Sequence, residues 1–111
     1  MIAEVSSLKS FSIEQLLEEL SQRSGCVAQA ATAQLLAYEK GKDYNGERSR
    51  DEYFPLGLPS YAQMIHVKSQ RLLALSAQPN SVPRFESARD TALDLINYAS
   101  FAADWLCREG R

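Results

Sequence analysis

The segment from Phe85 to Cys107 has the strongest helical periodicity in the sequence and constrains the fold more than any other stretch. When it is wound as a helix at about 100° per residue, its apolar residues form one broad face. That face consists of Ala88, Ala92, Leu95, Ile96, Ala99, Ala102, Ala103 and Leu106. We expect it to lie in the core of a helical domain.

A polar, mainly acidic line follows the opposite side of the same helix at steps of one helical turn. It consists of Glu86, Asp90, Asp94 and Asn97. Such a line is usually a solvated surface. Here, however, large apolar residues flank it, so the C-terminal half of the helix is apolar on almost all sides and is typical of a helix with several neighbours. Carboxylates beside an apolar environment require cations. A solvated face and a paired polar cluster therefore both stay open.

Length and composition indicate a single globular domain. The chain has 111 residues, of which 45% are hydrophobic and 23% are charged, close to the average for globular proteins. No stretch approaches the roughly 18 consecutive apolar residues of a membrane span, and the N-terminus lacks a secretory signal pattern. We therefore expect a cytoplasmic protein without a membrane partner. The net charge of −2 argues against bulk binding to duplex nucleic acid.

The N-terminal third of the chain predicts two helices. Residues 1–11 have no sustained period and are interpreted as a tail or docking segment. Ser12 and Gln15 form a capping-box pattern that opens an amphipathic helix over 12–23. An alanine-rich segment predicts the second helix over 26–40.

Residues 41–58 predict a long loop that begins at Gly41, the expected stop of the second helix. The segment contains three glycines, a proline and an Asn-Gly turn signal. It also carries Tyr44, Tyr53, Phe54 and Leu56, and such large apolar residues are unusual in a disordered linker. We therefore expect a functional loop.

The last half of the chain predicts two further helices, over 59–76 and 83–107. No sustained period of two occurs in the sequence, so strands are not expected. The predicted fold class is all-α, a small bundle of about four helices with a long loop between the second and the third. Because residues 77–83 form a short connection, the last two helices should be antiparallel neighbours.

Lys68 falls near the middle of the apolar face of the third helix, and Arg71 lies on the flank of that face. A lysine in this position either snorkels along apolar surface or meets a buried carboxylate or a ligand phosphate. The antiparallel arrangement predicts that Lys68 lies within about 4 Å, or one bridging water, of Asp90 or Asp94. Arg71 should extend the same cluster.

Three motifs resemble, in their order and approximate spacing, the nucleotide modification associated domain family of phage and prophage proteins. They are Lys42-Asp43-Tyr44-Asn45-Gly46, Lys68-x-x-Arg71-Leu72 and Glu86-Ser87-x-x-Asp90-Thr91-x-x-Asp94-Leu95-x-Asn97-Tyr98-Ala99. The resemblance covers residues 38–106 and implies a protein that handles nucleotides or modified bases, in the host cytoplasm if a phage encodes it. That family is in turn similar to the all-α MazG-like nucleotide pyrophosphohydrolases.

Phosphate chemistry is the reaction class that these residues favour if the chain is an enzyme. The residues expected to bind a nucleotide or its phosphates are Lys42, Asp43, Tyr44, Lys68 and Arg71. Hard oxygen ligands for Mg²⁺, the expected cofactor, would come from Glu86, Asp90 and Asp94. MazG-like enzymes hold magnesium between a Glu-Glu-x-x-Glu helix and a Glu-x-x-Asp helix. This chain departs from both patterns, because the Glu18-Glu19 pair lacks the third acid and Arg89 occupies the place of the aspartate.

Two classes of function stay open. The first is a nucleotide-binding or nucleotide-modification-associated protein, with Mg²⁺-dependent phosphohydrolase-like activity if it is catalytic. The second is a non-catalytic phage protein that binds a host protein or a signalling nucleotide to counter host defence. In that case the charged cluster could be an ion-pair network that fixes helix register. Three aromatic residues away from the alanine-rich face, Tyr98, Phe101 and Trp105, further predict a homodimer built partly from the last helix.

Overall fold

A computed structural model of the chain has the all-α architecture that the periodicity predicts. It describes residues 10–44, 49–78 and 86–111, except for the side chains of residues 42–44. Within these ranges there are helices and no strand. The helices are α1 (Ile13–Ser21), α2 (Cys26–Tyr44), α3 (Arg50–Tyr53), α4 (Leu58–Ser76) and α5 (Ala88–Arg108). The predicted fold class is confirmed, and the described ranges contain one short helix more than the four expected.

The N-terminal helix forms as its capping signal predicts. The Ser12 hydroxyl accepts a hydrogen bond from the backbone N–H of Gln15, and the Gln15 side chain accepts one from the backbone N–H of Ser12. Helix α1 then packs on α2, whose Ala28, Ala31 and Ala33 are buried. Small side chains at these positions let neighbouring helices approach closely. Of the predicted N-terminal tail, residues 1–9 lie outside the described part.

The second helix is longer than predicted, and the predicted loop is correspondingly shorter. Helix α2 runs through Gly41 to Tyr44, so the expected stop at Gly41 is wrong. A glycine inside a helix costs only about 1 kcal/mol relative to alanine, which neighbouring helical residues readily offset. The rest of the predicted loop contains α3, whose N-cap Ser49 accepts a hydrogen bond from the Glu52 backbone N–H. Residues 45–48 lie outside the described part.

Helices α4 and α5 are antiparallel neighbours, as predicted. The rings of Tyr61 and Phe101 lie 6.1 Å apart between centroids at one end of the pair, and Arg71 contacts Glu86 at the other. The connection between them falls largely in residues 79–85, outside the described part. Helix α5 begins at Ala88 rather than at residue 83, because the Ser87 side chain caps it and the residue before that cap is not helical.

The core does not lie on a single face of α5. This helix packs against both α2 and α4. Its buried residues are Thr91, Leu93, Asn97 and Ala102, whereas Ala99 and Ala103 of the predicted core face are exposed. The prediction of a single alanine-rich core face is therefore wrong in part. A helix with two neighbours buries two faces, and here Asp94 and Asn97 of the acidic line are partly or fully buried, whereas Asp90 is exposed.

The aromatic residues of α5 are packed against other parts of the same chain. The Phe54 ring lies 6.0 Å from Tyr98 and 5.3 Å from Tyr61, measured between centroids. Trp105 lies against Gly57, so close that a Cβ atom there would stand 2.9 Å from its ring. Contacts within one chain therefore explain the packing of these aromatic rings without a second subunit, and the homodimer stays a prediction. None of the described helices is both long and apolar enough to cross a membrane.

Candidate functional site

Lys68 lies at the centre of a charged cluster between α4 and α5. Its Nζ atom is 3.0 Å from Asp94 Oδ2 and 3.0 Å from Glu86 Oε2. Only 16% of the Lys68 side chain is exposed, so the lysine meets carboxylates in a partly buried position rather than reaching into solvent. The predicted contact between Lys68 and Asp94 is confirmed.

Glu86 receives further hydrogen bonds that hold it in this cluster. The hydroxyl of the fully buried Thr91 donates to Glu86 Oε1 at 2.7 Å. Arg71 extends the cluster as predicted, because its Nη2 atom donates to the backbone carbonyl of Glu86 and its Nε atom lies 3.9 Å from Glu86 Oε2. Thr91 had no predicted role, although it lies one turn after the N-cap Ser87, whose carbonyl it also contacts.

The electrostatics of the cluster keep both of its main partners charged. Burial raises the pKa of Glu86, but hydrogen bonds from Thr91 and Lys68 outweigh burial, so the pKa is lowered overall. Burial lowers the pKa of Lys68, but the hydrogen bonds to Asp94 and Glu86 together outweigh burial, so the pKa is raised overall. Lys68 and Glu86 are therefore both charged at neutral pH and form an ion pair.

An open cleft of about 320 Å³ adjoins this cluster between α2, α3, α4 and α5. Its described lining combines cations, one carboxylate and aromatic rings. The described lining residues are Ala37, Lys40, Gly41, Arg50, Tyr53, Phe54, Lys68, Asp94, Asn97, Tyr98 and Phe101. Of the side chains that the structure describes, three cations therefore face the cleft together with a single carboxylate, in a chain whose net charge is −2.

One end of the cleft is polar. Lys40 Nζ lies 3.3 Å from Asp94 Oδ1, so Asp94 bridges the ammonium groups of Lys40 and Lys68. Burial, with a smaller contribution from the Asp94 charge, raises the pKa of Tyr98 and keeps its phenol protonated. Asn97 is buried and accepts a hydrogen bond from Gln34 at 3.0 Å.

The other end of the cleft is aromatic. The guanidinium carbon of Arg50 lies 4.6 Å from the centroid of the Phe101 ring, in cation–π contact. The rings of Tyr53 and Phe54 meet edge to face at 5.0 Å between centroids, and Tyr53 is exposed. Asp94 and Phe101 are two helical turns apart on α5, which separates the polar end from the aromatic end by about 10 Å.

Ion pairs hold the short helix α3 on α5 and thereby place Arg50 at the cleft. Arg108 donates to both carboxylate oxygens of Asp51, at 2.7 and 3.0 Å. Arg50 Nη2 lies 2.6 Å from Asp104 Oδ2, which Arg108 also contacts at 3.1 Å. The hydrogen bond with Asp51 raises the pKa of Arg108, and the same bond lowers the pKa of Asp51.

The predicted site residues are brought together only in part. The cluster unites Lys68 and Arg71 with Glu86 and Asp94, whereas Asp90 is exposed and pairs with neither cation. Residues 42–44 form the end of α2, directly after Lys40 and Gly41 of the cleft, and their side chains lie outside the described part. Within the described ranges, no group of three His, Cys, Asp or Glu side chains is placed to hold a metal ion.

Lys40 and Arg50 of the cleft were not predicted, and Tyr53 was predicted only as part of a functional loop. Lys40 stood at the expected end of the second helix, where no periodicity marked it. Arg50 and Tyr53 fell inside the expected loop. A signal was present there, since Ser49 is followed three residues later by Glu52, the same spacing that opened α1.

Comparison with other proteins does not assign this site. No protein family, curated protein or solved structure compared with the chain matches it. The resemblance to the nucleotide modification associated domain family therefore stays a prediction.

Proposed function

We propose that the cleft binds a nucleotide, with the phosphate at the polar end near Lys40 and Lys68 and the base against the aromatic end. The observation that carries the proposal is the composition of the lining, where, among the residues that the structure describes, three cations and four aromatic rings meet around one carboxylate. Phosphate oxygens accept charge-assisted hydrogen bonds from ammonium and guanidinium groups. Bases stack on aromatic rings and on guanidinium planes.

The dimensions and the unused donors of the cleft support this proposal. A volume of about 320 Å³ lies at the lower end of the range of about 300–1,000 Å³ that small-molecule sites occupy. Lys40 is largely exposed and contacts Asp94 alone among the described residues. An ammonium group has three N–H donors, so Lys40 retains donors for a phosphate.

Mg²⁺-dependent phosphate hydrolysis is a second candidate, favoured by the position of two carboxylates around one point. Glu86 and Asp94 both lie 3.0 Å from Lys68 Nζ, and Mg²⁺ usually binds one or two carboxylates together with phosphates and water. In this arrangement, however, the Lys68 ammonium stands between the two carboxylates, so Mg²⁺ would have to compete with it. Binding without a metal is therefore the function that the geometry favours. A host-protein partner rests on the family resemblance alone.

Calorimetric titration with the common nucleoside monophosphates and triphosphates, with and without Mg²⁺, tests the proposal. Thermal unfolding gives an independent readout, because a ligand of the native state raises the transition temperature by mass action. Lys40→Met should weaken binding about tenfold or more, the loss expected for one charge-assisted hydrogen bond. Arg23→Met removes an exposed cation that does not line the cleft and should leave the affinity unchanged.

Asp94→Asn separates the two candidates. If Lys40 and Lys68 hold the phosphate directly, removing the Asp94 charge should preserve or strengthen binding, because one repulsive carboxylate is lost. If Asp94 binds Mg²⁺, the same change should abolish metal-dependent binding. The absence of binding by all these nucleotides, with and without Mg²⁺, would refute both candidates.

A further inference from the structure

The cleft does not end at Arg50. A second hollow of about 170 Å³ lies on the other side of this residue and is lined by Gln34, Ala37, Tyr38, Arg50 and Phe101. The two hollows share Ala37, Arg50 and Phe101, so they are neighbouring parts of one groove between α2 and α5. The second hollow contains its own aromatic residue, Tyr38, of which 42% is exposed.

Resting on the proposed function, we infer that the groove takes a dinucleotide, with one base in each hollow and the linking phosphate at Arg50. Each hollow offers an exposed aromatic residue, Tyr53 in the first and Tyr38 in the second. Arg50, which lines both hollows, lies at the boundary between them. Alternation of aromatic and cationic groups along a groove is how proteins bind successive bases of a single strand.

Arg50 has the donors that a linking phosphate needs. A guanidinium group carries five N–H donors, and the hydrogen bond to Asp104 uses one of them. The Nε atom of Arg50 is buried and makes no hydrogen bond in the described part of the chain. A buried donor without a partner is costly. A small rotation of the Arg50 guanidinium would let Nε donate a hydrogen bond to a phosphate oxygen, and this bond would favour the bound state.

Gln34 supplies a polar group beside the second base position. Its amide nitrogen donates to Asn97 Oδ1 at 3.0 Å and to Ser100 Oγ at 2.8 Å. With the amide nitrogen committed in this way, the carbonyl oxygen of Gln34 is oriented and remains an acceptor. The second hollow, which Gln34 lines, therefore combines a surface for stacking with a polar side chain.

The test compares binding of the four deoxynucleoside 5′-monophosphates with binding of the four 5′-phosphorylated homodinucleotides at one ionic strength. We expect at least one dinucleotide to bind about tenfold or more tightly than its monophosphate, since a second stacked base adds affinity of that order. Tyr38→Ala should remove this advantage and leave monophosphate binding unchanged, whereas Tyr38→Phe should retain it. Phe11→Ala, which changes an exposed aromatic residue that lines neither hollow, is the matched control.

The outcomes separate this inference from the proposed function. Equal affinities for monophosphates and dinucleotides, or an equal loss of both in Tyr38→Ala, would overturn the dinucleotide inference while nucleotide binding stands. A failure of both ligand sets to bind would overturn the dinucleotide inference, and it would overturn the proposed function as well if the nucleoside triphosphates also fail to bind. Circular dichroism and the thermal transition of each variant establish that a loss of affinity does not come from unfolding.

Discussion

The position of Lys68 follows from residue spacing on two helices. A lysine in the middle of an apolar face and carboxylates one turn apart on the next helix predict an ion pair when the helices are antiparallel neighbours. The Thr91 hydroxyl also donates a hydrogen bond to the Glu86 carboxylate. Because Lys68 is mostly buried and contacts two carboxylates, its removal would leave both without their central counterion.

Lys68→Met should therefore lower the free energy of unfolding. A fully buried pair that loses one partner costs about 3–5 kcal/mol, and the remaining exposure reduces the expected loss to about 1–3 kcal/mol. Urea unfolding measures the difference. Lys40→Met is the matched control, because the same substitution at an exposed ion pair should change stability by less than about 1 kcal/mol. Equal stability of Lys68→Met and the unmodified chain would contradict a structural role for the cluster.

At the scale of helices, local capping signals were more informative than residue composition. The Ser12 pattern predicted the start of α1, and the same spacing at Ser49 and Ser87 marks the starts of α3 and α5. The turn-forming composition of residues 41–58 predicted a loop where α3 forms. That short helix gains its stability from tertiary contacts, the bidentate Asp51–Arg108 pair among them, which a single sequence does not reveal.

The junction between α3 and α4 depends on Gly57, and Gly57→Ala should be destabilising. Gly57 has φ of 64°, a conformation that costs other residues about 1–3 kcal/mol. The added Cβ would also stand 2.9 Å from two carbon atoms of the Trp105 ring. Gly25→Ala is the control, since Gly25 also has a positive φ but nothing lies within 4 Å of its Cβ position. Urea unfolding should show the larger loss for Gly57→Ala, and the fluorescence of Trp105, the single tryptophan, should change in that variant alone.

At the scale of the whole molecule, burial on two sides of α5 explains why the core was predicted only in part. A helical wheel assigns one apolar face, but α5 has neighbours on two sides, so Thr91 and Asn97 are buried while Ala99 is exposed. The second buried face depends on how α2 crosses α5, which no local period specifies. The same crossing creates the groove, and its lining residues Lys40 and Arg50 come from separate parts of the chain. The sequence therefore predicts the ion pair between adjacent helices, whereas the cleft requires the assembled fold.

Acid unfolding should report the ion pairs that hold this assembly together. The folded-state pKa of Glu86 is lowered, so its contribution to stability is present above the unfolded-state value of about 4.3 and is lost as pH falls through the lower folded-state value. The free energy of unfolding should thus stay level between about pH 5 and 8 as far as carboxylates determine it, and decline below that range.

Glu86→Gln should be less stable at neutral pH and should show a shallower decline in acid. Asp90→Asn changes an exposed carboxylate on α5 that is not paired with Lys68 or Arg71, and it should retain the full decline. If Glu86→Gln and the unmodified chain have the same acid dependence, the charge of Glu86 does not stabilise the contact between α4 and α5.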